Sequence, residues 1–241
     1  MSTYLVTSLR RYAKFFLPMR TRQFLLAYQR EFIFRRAMKE FMRNPEKFLD
    51  SESYVISDLI YGWGNSSWGA APEYLVSCMQ HALVSNGPIL ECGSGLSTIL
   101  IGIIARKRGI THWALEHMPV WGERVQKCLN AYQIYSVVLC VKSLKDYDNF
   151  SWYDPPLESM PDRFTLVICD GPPGSIRGGR YGLVPIMKER LKPGCVILLD
   201  DAAREQEQTI AGKWEAELGA SSEILGSKKP YIRLMVGDVA D

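Results

Sequence analysis

From residue 72 onward the chain alternates short apolar runs with longer stretches in which apolar residues recur three or four positions apart. Pro72 suits the first turn of a helix carrying Tyr74, Leu75, Cys78, Met79 and Leu83. The pattern then predicts strand 88–92, helix 97–107, strand 112–116, helix 119–132 and strand 136–141. After a long connection it predicts strand 165–170, helix 181–191, strand 194–199 and helix 203–218. Ile224-Leu225 and Tyr231–Val236, separated by Gly226-Ser227-Lys228-Lys229-Pro230, read as a closing hairpin. Such alternation implies an α/β architecture, a mainly parallel sheet with helices on both faces, because parallel neighbours need crossover connections. Ligands then sit at the carboxyl ends of the strands.

Two stretches break the pattern. Residues 50–71 are rich in glycine and small polar residues and read as a loop, in which Trp63 and Trp68 either plug the edge of the domain or line a pocket. The connection 142–164 carries Tyr147, Phe150, Trp152 and Tyr153, as core plugs or as part of an acceptor pocket. The N-terminal residues 1–50 form a separate basic extension, with eleven Lys or Arg against four acids and no acid before Glu31. Phe24, Leu25, Tyr28, Phe32, Phe34, Met38, Phe41 and Met42 recur there at helical spacing among Arg30, Arg35, Arg36, Lys39 and Arg43. This amphipathic helix packs on the domain of residues 51–241 or on a second copy in a homodimer, or lies on an anionic membrane, with Leu5 and Phe15–Leu17 helping. Nucleic acid is the least favoured partner, since no RNA- or DNA-binding motif accompanies the charge.

A chain of 241 residues with 47% hydrophobic content supports one globular domain plus this extension. No apolar run is long enough for a spanning helix and no secretory signal is visible, so a cytoplasmic location, peripheral to membrane at most, is expected. The six cysteines form no Cys-x-x-Cys pair and read as buried free thiols.

The strongest chemical signal is Ile89-Leu90-Glu91-Cys92-Gly93-Ser94-Gly95-Leu96-Ser97-Thr98. Gly93 and Gly95 let the backbone turn tightly against a ligand, and Ser97 and Thr98 open a helix whose first amides face it. Glu91 would repel a pyrophosphate but suits a cationic amino-acid ligand, which favours S-adenosylmethionine over a dinucleotide. Downstream come His112-Trp113-Ala114-Leu115-Glu116, the segment Lys142-Ser143-Leu144, Leu166–Gly174, and Leu191–Asp201.

With these pieces in order, the chain over roughly residues 60–241 resembles the class I S-adenosylmethionine-dependent methyltransferases. The resemblance implies a Rossmann-like fold whose mainly parallel, seven-stranded sheet ends antiparallel. It implies that Glu91 and the backbone of Gly93, Ser94 and Gly95 hold the methionine end, and that Glu116 takes the ribose hydroxyls. His117 and the Ser143-Leu144 segment border the adenine, while Asp170, followed by Gly171, lies beside the transferable methyl. Many members carry an Asp near Ser143; its lack here leaves the adenine to backbone groups.

Asp170, Asp200 and Asp201 project from the carboxyl ends of adjacent strands, and oxygen-only ligands suit a hard cation such as Mg2+. The arrangement is similar to that of metal-dependent O-methyltransferases of the catechol, caffeoyl-coenzyme A and macrocin types. Asp201 stands where Asn is common in the catechol type, and Gly171-Pro172-Pro173-Gly174 is atypical of those enzymes. The alternative is that Asp170 orders the cofactor while Asp200 or Asp201 caps the next helix. Without a metal, Asp170 is the candidate general base ahead of His117 and His81. Arg177, Arg180 and Tyr181 follow on the same rim, where they clamp an anionic acceptor or are simply solvated.

Base N-methylating enzymes place Asp or Asn directly before Pro-Pro, unlike Asp170-Gly171-Pro172-Pro173 here, which lowers that reading. The expectation is methyl transfer to an oxygen of a small molecule or of a sugar or lipid-linked glycan. Its rivals are a nicotinamide-dependent oxidoreductase, disfavoured by Glu91 and the missing third glycine, and a non-catalytic protein that keeps the cofactor fold.

Overall fold

A computed structural model describes residues 18–64 and 69–237. Trp68, Leu5 and Phe15–Leu17 therefore lie outside the described residues. The chain opens with α1 (Met19–Arg43), a 3-10 turn (Pro45–Phe48), α2 (Tyr54–Trp63) and α3 (Pro72–Val84). Then β1 (Ile89–Cys92), α4 (Leu96–Arg108), β2 (His112–Glu116), α5 (Pro119–Ala131) and β3 (Val137–Val141) alternate as the apolar pattern requires. Next come a small ribbon of β4 (Lys145–Asp146) with β5 (Ser151–Trp152), then β6 (Phe164–Cys169), α6 (Leu183–Met187), β7 (Leu191–Leu199), α7 (Glu205–Leu218), β8 (Ser221–Leu225) and β9 (Tyr231–Met235).

The seven-stranded sheet has the order β3-β2-β1-β6-β7-β9-β8. Its first five strands are parallel, while β9 runs antiparallel between β7 and β8, so the expected closing hairpin is present. From β1 the chain winds outward through β2 and β3, then returns to place β6 on the other side of β1. In open α/β sheets such a reversal marks the crevice where ligands bind, here at the carboxyl ends of β1 and β6. Alternate strand residues feed two apolar cores: Ile89, Leu166 and Ile168 face α1–α5, whereas Leu90, Val167 and Cys169 face α6 and α7. Burial on both faces is why these strands read as unbroken apolar runs. All six cysteines are free, as expected.

Two expectations need correction. Part of the expected loop is α2, whose Val55, Ile56, Leu59 and Trp63 enter the first core. Gly62 there is no turn residue: a Cβ on it would come within 2.6 Å of Phe34 Cβ, so it allows α1 and α2 to approach closely. The expected helix 181–191 shrinks to α6 between two 3-10 turns, and β7 starts three residues early, with a register shift opposite Phe164 and Leu166. The N-terminal helix packs on the domain, one of the placements expected of its apolar stripe. Phe34, Ala37, Met38 and Phe41 of α1 share the first core, while Phe24, Tyr28 and Phe32 on its outer half are exposed. No helix among the described residues is long and apolar enough to cross a membrane.

Candidate active site

The turn after β1 is built for close approach. Gly93 has φ +93°, the left-handed region that glycine alone adopts without strain, and a Cβ there would meet Gly171 N at 3.2 Å. The amides of Asp170 and Gly171 both donate to Cys92 O, at 3.0 and 2.7 Å, which ties the β1 turn directly to the β6 turn. Gly95 is different: its backbone is extended, and a Cβ added to it would meet nothing within 4 Å. The space over Gly95 is thus open. Behind it, the Gly95 amide donates to Thr98 Oγ1 at 2.8 Å, which fixes the entry into α4.

Glu91 stands at the carboxyl end of β1, as expected, and is buried there. Its side chain is 1% exposed; Ser97 Oγ donates to Glu91 Oε1 at 2.5 Å, and His112 Nε2 lies 3.0 Å from Glu91 Oε2. Its Oε1 is tied to the start of α4 through Ser97, while its buried Oε2 has no hydrogen-bond partner. No sequence signal marked His112, which faces Glu91 only because β1 and β2 are adjacent.

Glu116, at the end of β2, borders the crevice. Its Oε1 accepts from the amides of His117 and Met118 at 2.7 and 2.8 Å, and its Oε2 accepts from Ser94 N and Oγ at 3.1 and 2.7 Å. Burial disfavours its charge, but hydrogen bonds from His117, Met118 and Ser94 outweigh this and hold the carboxyl below the usual range. His117 lies edge-on to Tyr153, and Lys142 N donates to Glu116 O, so Ser143 and Leu144 leave β3 on the same wall. Trp121, missed in the sequence, donates its indole N–H to Ser94 O at 2.5 Å. Arg124 stacks over both Trp121 and Trp63, and Trp63 packs against Phe34 in turn. Trp63 is therefore a core residue and not an open pocket wall.

On the other side of the crevice, single oxygens of Asp170, Asp200 and Asp201 gather within 4.8 Å of one another, as the three acids were expected to. They gather on side-chain cations. Arg180 Nη2 lies 3.2 Å from Asp170 Oδ1 and 2.9 Å from Asp201 Oδ2, while its Nη1 lies 2.6 Å from Glu207 Oε1. Lys229 Nζ lies 2.8 Å from Asp200 Oδ2 and 3.1 Å from Asp201 Oδ1. One oxygen, Asp200 Oδ1, is buried without a partner. Arg180 is 2% exposed, so it is no rim clamp for an acceptor. Arg177 pairs with Asp146, and Tyr181 bonds Glu217 and meets Lys213, so neither joins the acids. Nor does Asp200 or Asp201 cap α7, whose N-cap is Arg204.

Mg2+ does not fit this centre. Each of the three acids already pairs with Arg180 or Lys229, and a doubly charged ion about 4 Å from either cation meets a repulsion of about 8 kcal/mol at an effective dielectric of about 20, enough to offset the pull of one carboxylate at that distance. Arg180 and Lys229 pair with the acids instead, leaving Asp200 Oδ1 and Glu207 Oε2 without a hydrogen-bond partner. Burial opposes ionisation of Asp201, yet Arg180 and Lys229 outweigh it and lower its pKa; burial likewise opposes the Lys229 ammonium, yet Asp200 and Asp201 raise its pKa. Asp170 is the exception. Burial, reinforced by the Asp200 charge, pushes its carboxyl up to about 8 against the pull of Arg180, while its side chain keeps 32% exposure toward the crevice.

Solved structures with the same arrangement settle the architecture. The S-adenosylhomocysteine-bound methyltransferase PaMTH1 of Podospora anserina matches with a TM-score of 0.54 at 13% identity, over 99% of this chain and 97% of that one. The O-methyltransferase from Bacillus cereus in complex with S-adenosylhomocysteine gives 0.54 at 15%, over 75% and 88%. This chain has the class I methyltransferase fold. Precorrin-6y C5,15-methyltransferase from Geobacter metallireducens shares it, with a TM-score of 0.52 at 16% identity over 72% and 92%. No family model and no curated protein matches the sequence.

In a methyltransferase fold the open space over Gly95 has a testable use. Gly95→Ala should leave the melting temperature within about 2 °C of wild type, since the backbone is unstrained and the Cβ meets nothing. It should weaken S-adenosylhomocysteine binding in calorimetry by about tenfold or more, about 1.4 kcal/mol, by filling the space above the turn. Unchanged affinity would mean that no ligand approaches this turn.

Proposed function

We propose that this protein transfers a methyl group from S-adenosylmethionine to an oxygen of a small-molecule or glycan acceptor. The observation that carries the reading is the crevice at the switch point between β1 and β6, with open space over Gly95, the Glu116 wall on one side and the part-exposed Asp170 on the other. Two of the similar structures hold S-adenosylhomocysteine, and an O-methyltransferase, TomG from Streptomyces achromogenes, matches at a TM-score of 0.50 with S-adenosylmethionine bound; these support the cofactor and the oxygen acceptor. The antiparallel β9 inserted beside β7 speaks against the nicotinamide alternative, whose sheet is ordinarily six parallel strands in the order 3-2-1-4-5-6.

When bound, S-adenosylmethionine supplies the methyl carbon: an O–C bond forms as the C–S bond breaks in line, S-adenosylhomocysteine leaves, and the acceptor hydroxyl loses its proton. The residues of this chain position and deprotonate. The turn at Gly93–Gly95 accommodates the amino-acid end, and Glu116 holds the Ser94 side of that turn in place. To reach a ribose, Glu116 must exchange the Ser94 hydroxyl for a ligand hydroxyl, because its two oxygens already accept four hydrogen bonds. Asp170 takes the acceptor's proton, and its raised affinity for protons suits that part.

Calorimetric titration of the full chain with S-adenosylmethionine, S-adenosylhomocysteine and NADH tests the reading. Micromolar binding of the two sulfur ligands and none of NADH is the expected result. Binding of NADH alone, or of nothing, would sink it.

A further inference from the structure

We infer that Arg180 and Lys229 fill the place a divalent cation holds in the metal-dependent O-methyltransferases that the sequence resembles, so that methyl transfer here runs without a metal. The inference rests on the proposed methyl transfer and narrows how its acceptor is held. Each of the three carboxylates that would ligate an ion already has a nitrogen cation on it: Asp170 has Arg180 at 3.2 Å, Asp200 has Lys229 at 2.8 Å, and Asp201 has both, at 2.9 and 3.1 Å. A guanidinium keeps its charge at every accessible pH and accepts no metal.

Neither cation is placed to step aside. Arg180 is anchored from behind, its Nη1 bonded to Glu207 Oε1 at 2.6 Å and to Asp200 O at 3.1 Å, and Glu207 is itself fully buried. Moving the guanidinium out would strand that carboxylate. Lys229 sits in the turn between β8 and β9, which the antiparallel return of β9 carries over the carboxyl end of β7. Asp201 between them has φ +65°, in the left-handed region that Asp enters more readily than most residues, and its carboxylate meets Arg180, Arg204 and Lys229.

An ammonium has three N–H donors, and the acids occupy two of those of Lys229, whose side chain is 38% exposed. The third is left to meet an acceptor oxygen, the role a metal would otherwise fill. A metal with two open positions chelates a pair of neighbouring oxygens, whereas one N–H meets one. The acceptor is thus engaged through a single oxygen and need not be a vicinal diol.

The test uses the full chain and Mn2+ alone as the probe, followed by electron paramagnetic resonance, with S-adenosylhomocysteine calorimetry in Mg2+ and in EDTA alongside. The wild type should show no saturable Mn2+ site and the same S-adenosylhomocysteine affinity in both buffers. Lys229→Gln, which frees Asp200 Oδ2 and Asp201 Oδ1, should bind Mn2+ about tenfold or more tighter than wild type; Lys229→Arg, which keeps the charge, should not. A stoichiometric Mn2+ site in the wild type overturns the inference whether or not the variants fold, as does a folded Lys229→Gln protein that gains no Mn2+ affinity. Failure of S-adenosylhomocysteine to bind in either buffer strikes the proposed methyl transfer instead and leaves the Mn2+ result to decide the cation question.

Discussion

Arg180→Ala is expected to melt about 10 °C below the wild type. The guanidinium is buried and bonds Asp170, Asp201 and Glu207 together with the carbonyls of Asp170 and Asp200. Removing one partner from a buried ionic network costs about 3–5 kcal/mol, because the remaining charges stay desolvated and unpaired. In a domain of this size each kcal/mol lowers the melting temperature by about 2–4 °C. Arg204 softens the loss only in part, since it reaches Asp201 and Glu207 from an exposed position. Arg180→Lys should recover little, because one ammonium cannot hold Glu207 and Asp170 at once.

The sign of the pH dependence follows from Asp201, whose pKa is lowered in the folded chain, with Arg180 the main cause. A depressed carboxyl contributes stability above its unfolded value of about 3.9 and loses it as the pH falls through the folded one. The gap between wild type and Arg180→Ala should therefore narrow in acid. Melts recorded across that range check both points, and a variant within about 2 °C of wild type at neutral pH would show that the network carries little stability.

Asp170→Asn carries the largest expected effect on turnover. Removing a general base costs about 10²–10⁴ in rate, so kcat for the acceptor should fall by that order while S-adenosylhomocysteine affinity changes little. The wild-type rate should rise with pH and level off above about 8, as the carboxyl gives up its own proton and becomes able to take the acceptor's. Stability should move the other way. The folded chain holds a proton on Asp170 up to about pH 8 that the unfolded chain releases near 3.9, so this group makes stability fall as the pH climbs between those values. The Asn variant has no such proton and should be less sensitive to alkali. Steady-state rates and melts over the same pH series separate the two roles: a variant with an unchanged rate profile would leave Asp170 only structural.

The central strands were legible because strands buried on both faces have no choice but to be apolar, as Leu166–Cys169 illustrates. Glycine was harder to read: the same residue type marks the turn at Gly93 and the helix contact at Gly62, and only the neighbour's position tells them apart. The acids were found because they follow strand ends, but their cations were not, since an arginine or lysine in a loop is ordinarily solvated. A signal for Arg180 was present in α7, where Glu207 falls on the same face as Ile210, Ala211 and Trp214. A carboxylate in line with a buried apolar stripe requires a buried cation, although nothing in the spacing says which one. The strand end of Glu91 was legible but its contacts with Ser97 and His112 were not, because a strand of four buried residues carries no polar face from which to read them.

Phe34, Trp63, Arg124, Trp121 and the Ser94 carbonyl form an unbroken run of contacts from α1 to the turn beneath the cofactor space. The surface helix and the ligand turn are thus one mechanical assembly. A binder on α1 that changed the free energy of filling the crevice would, by reciprocity, be gripped with an affinity changed by the same factor once the crevice is filled.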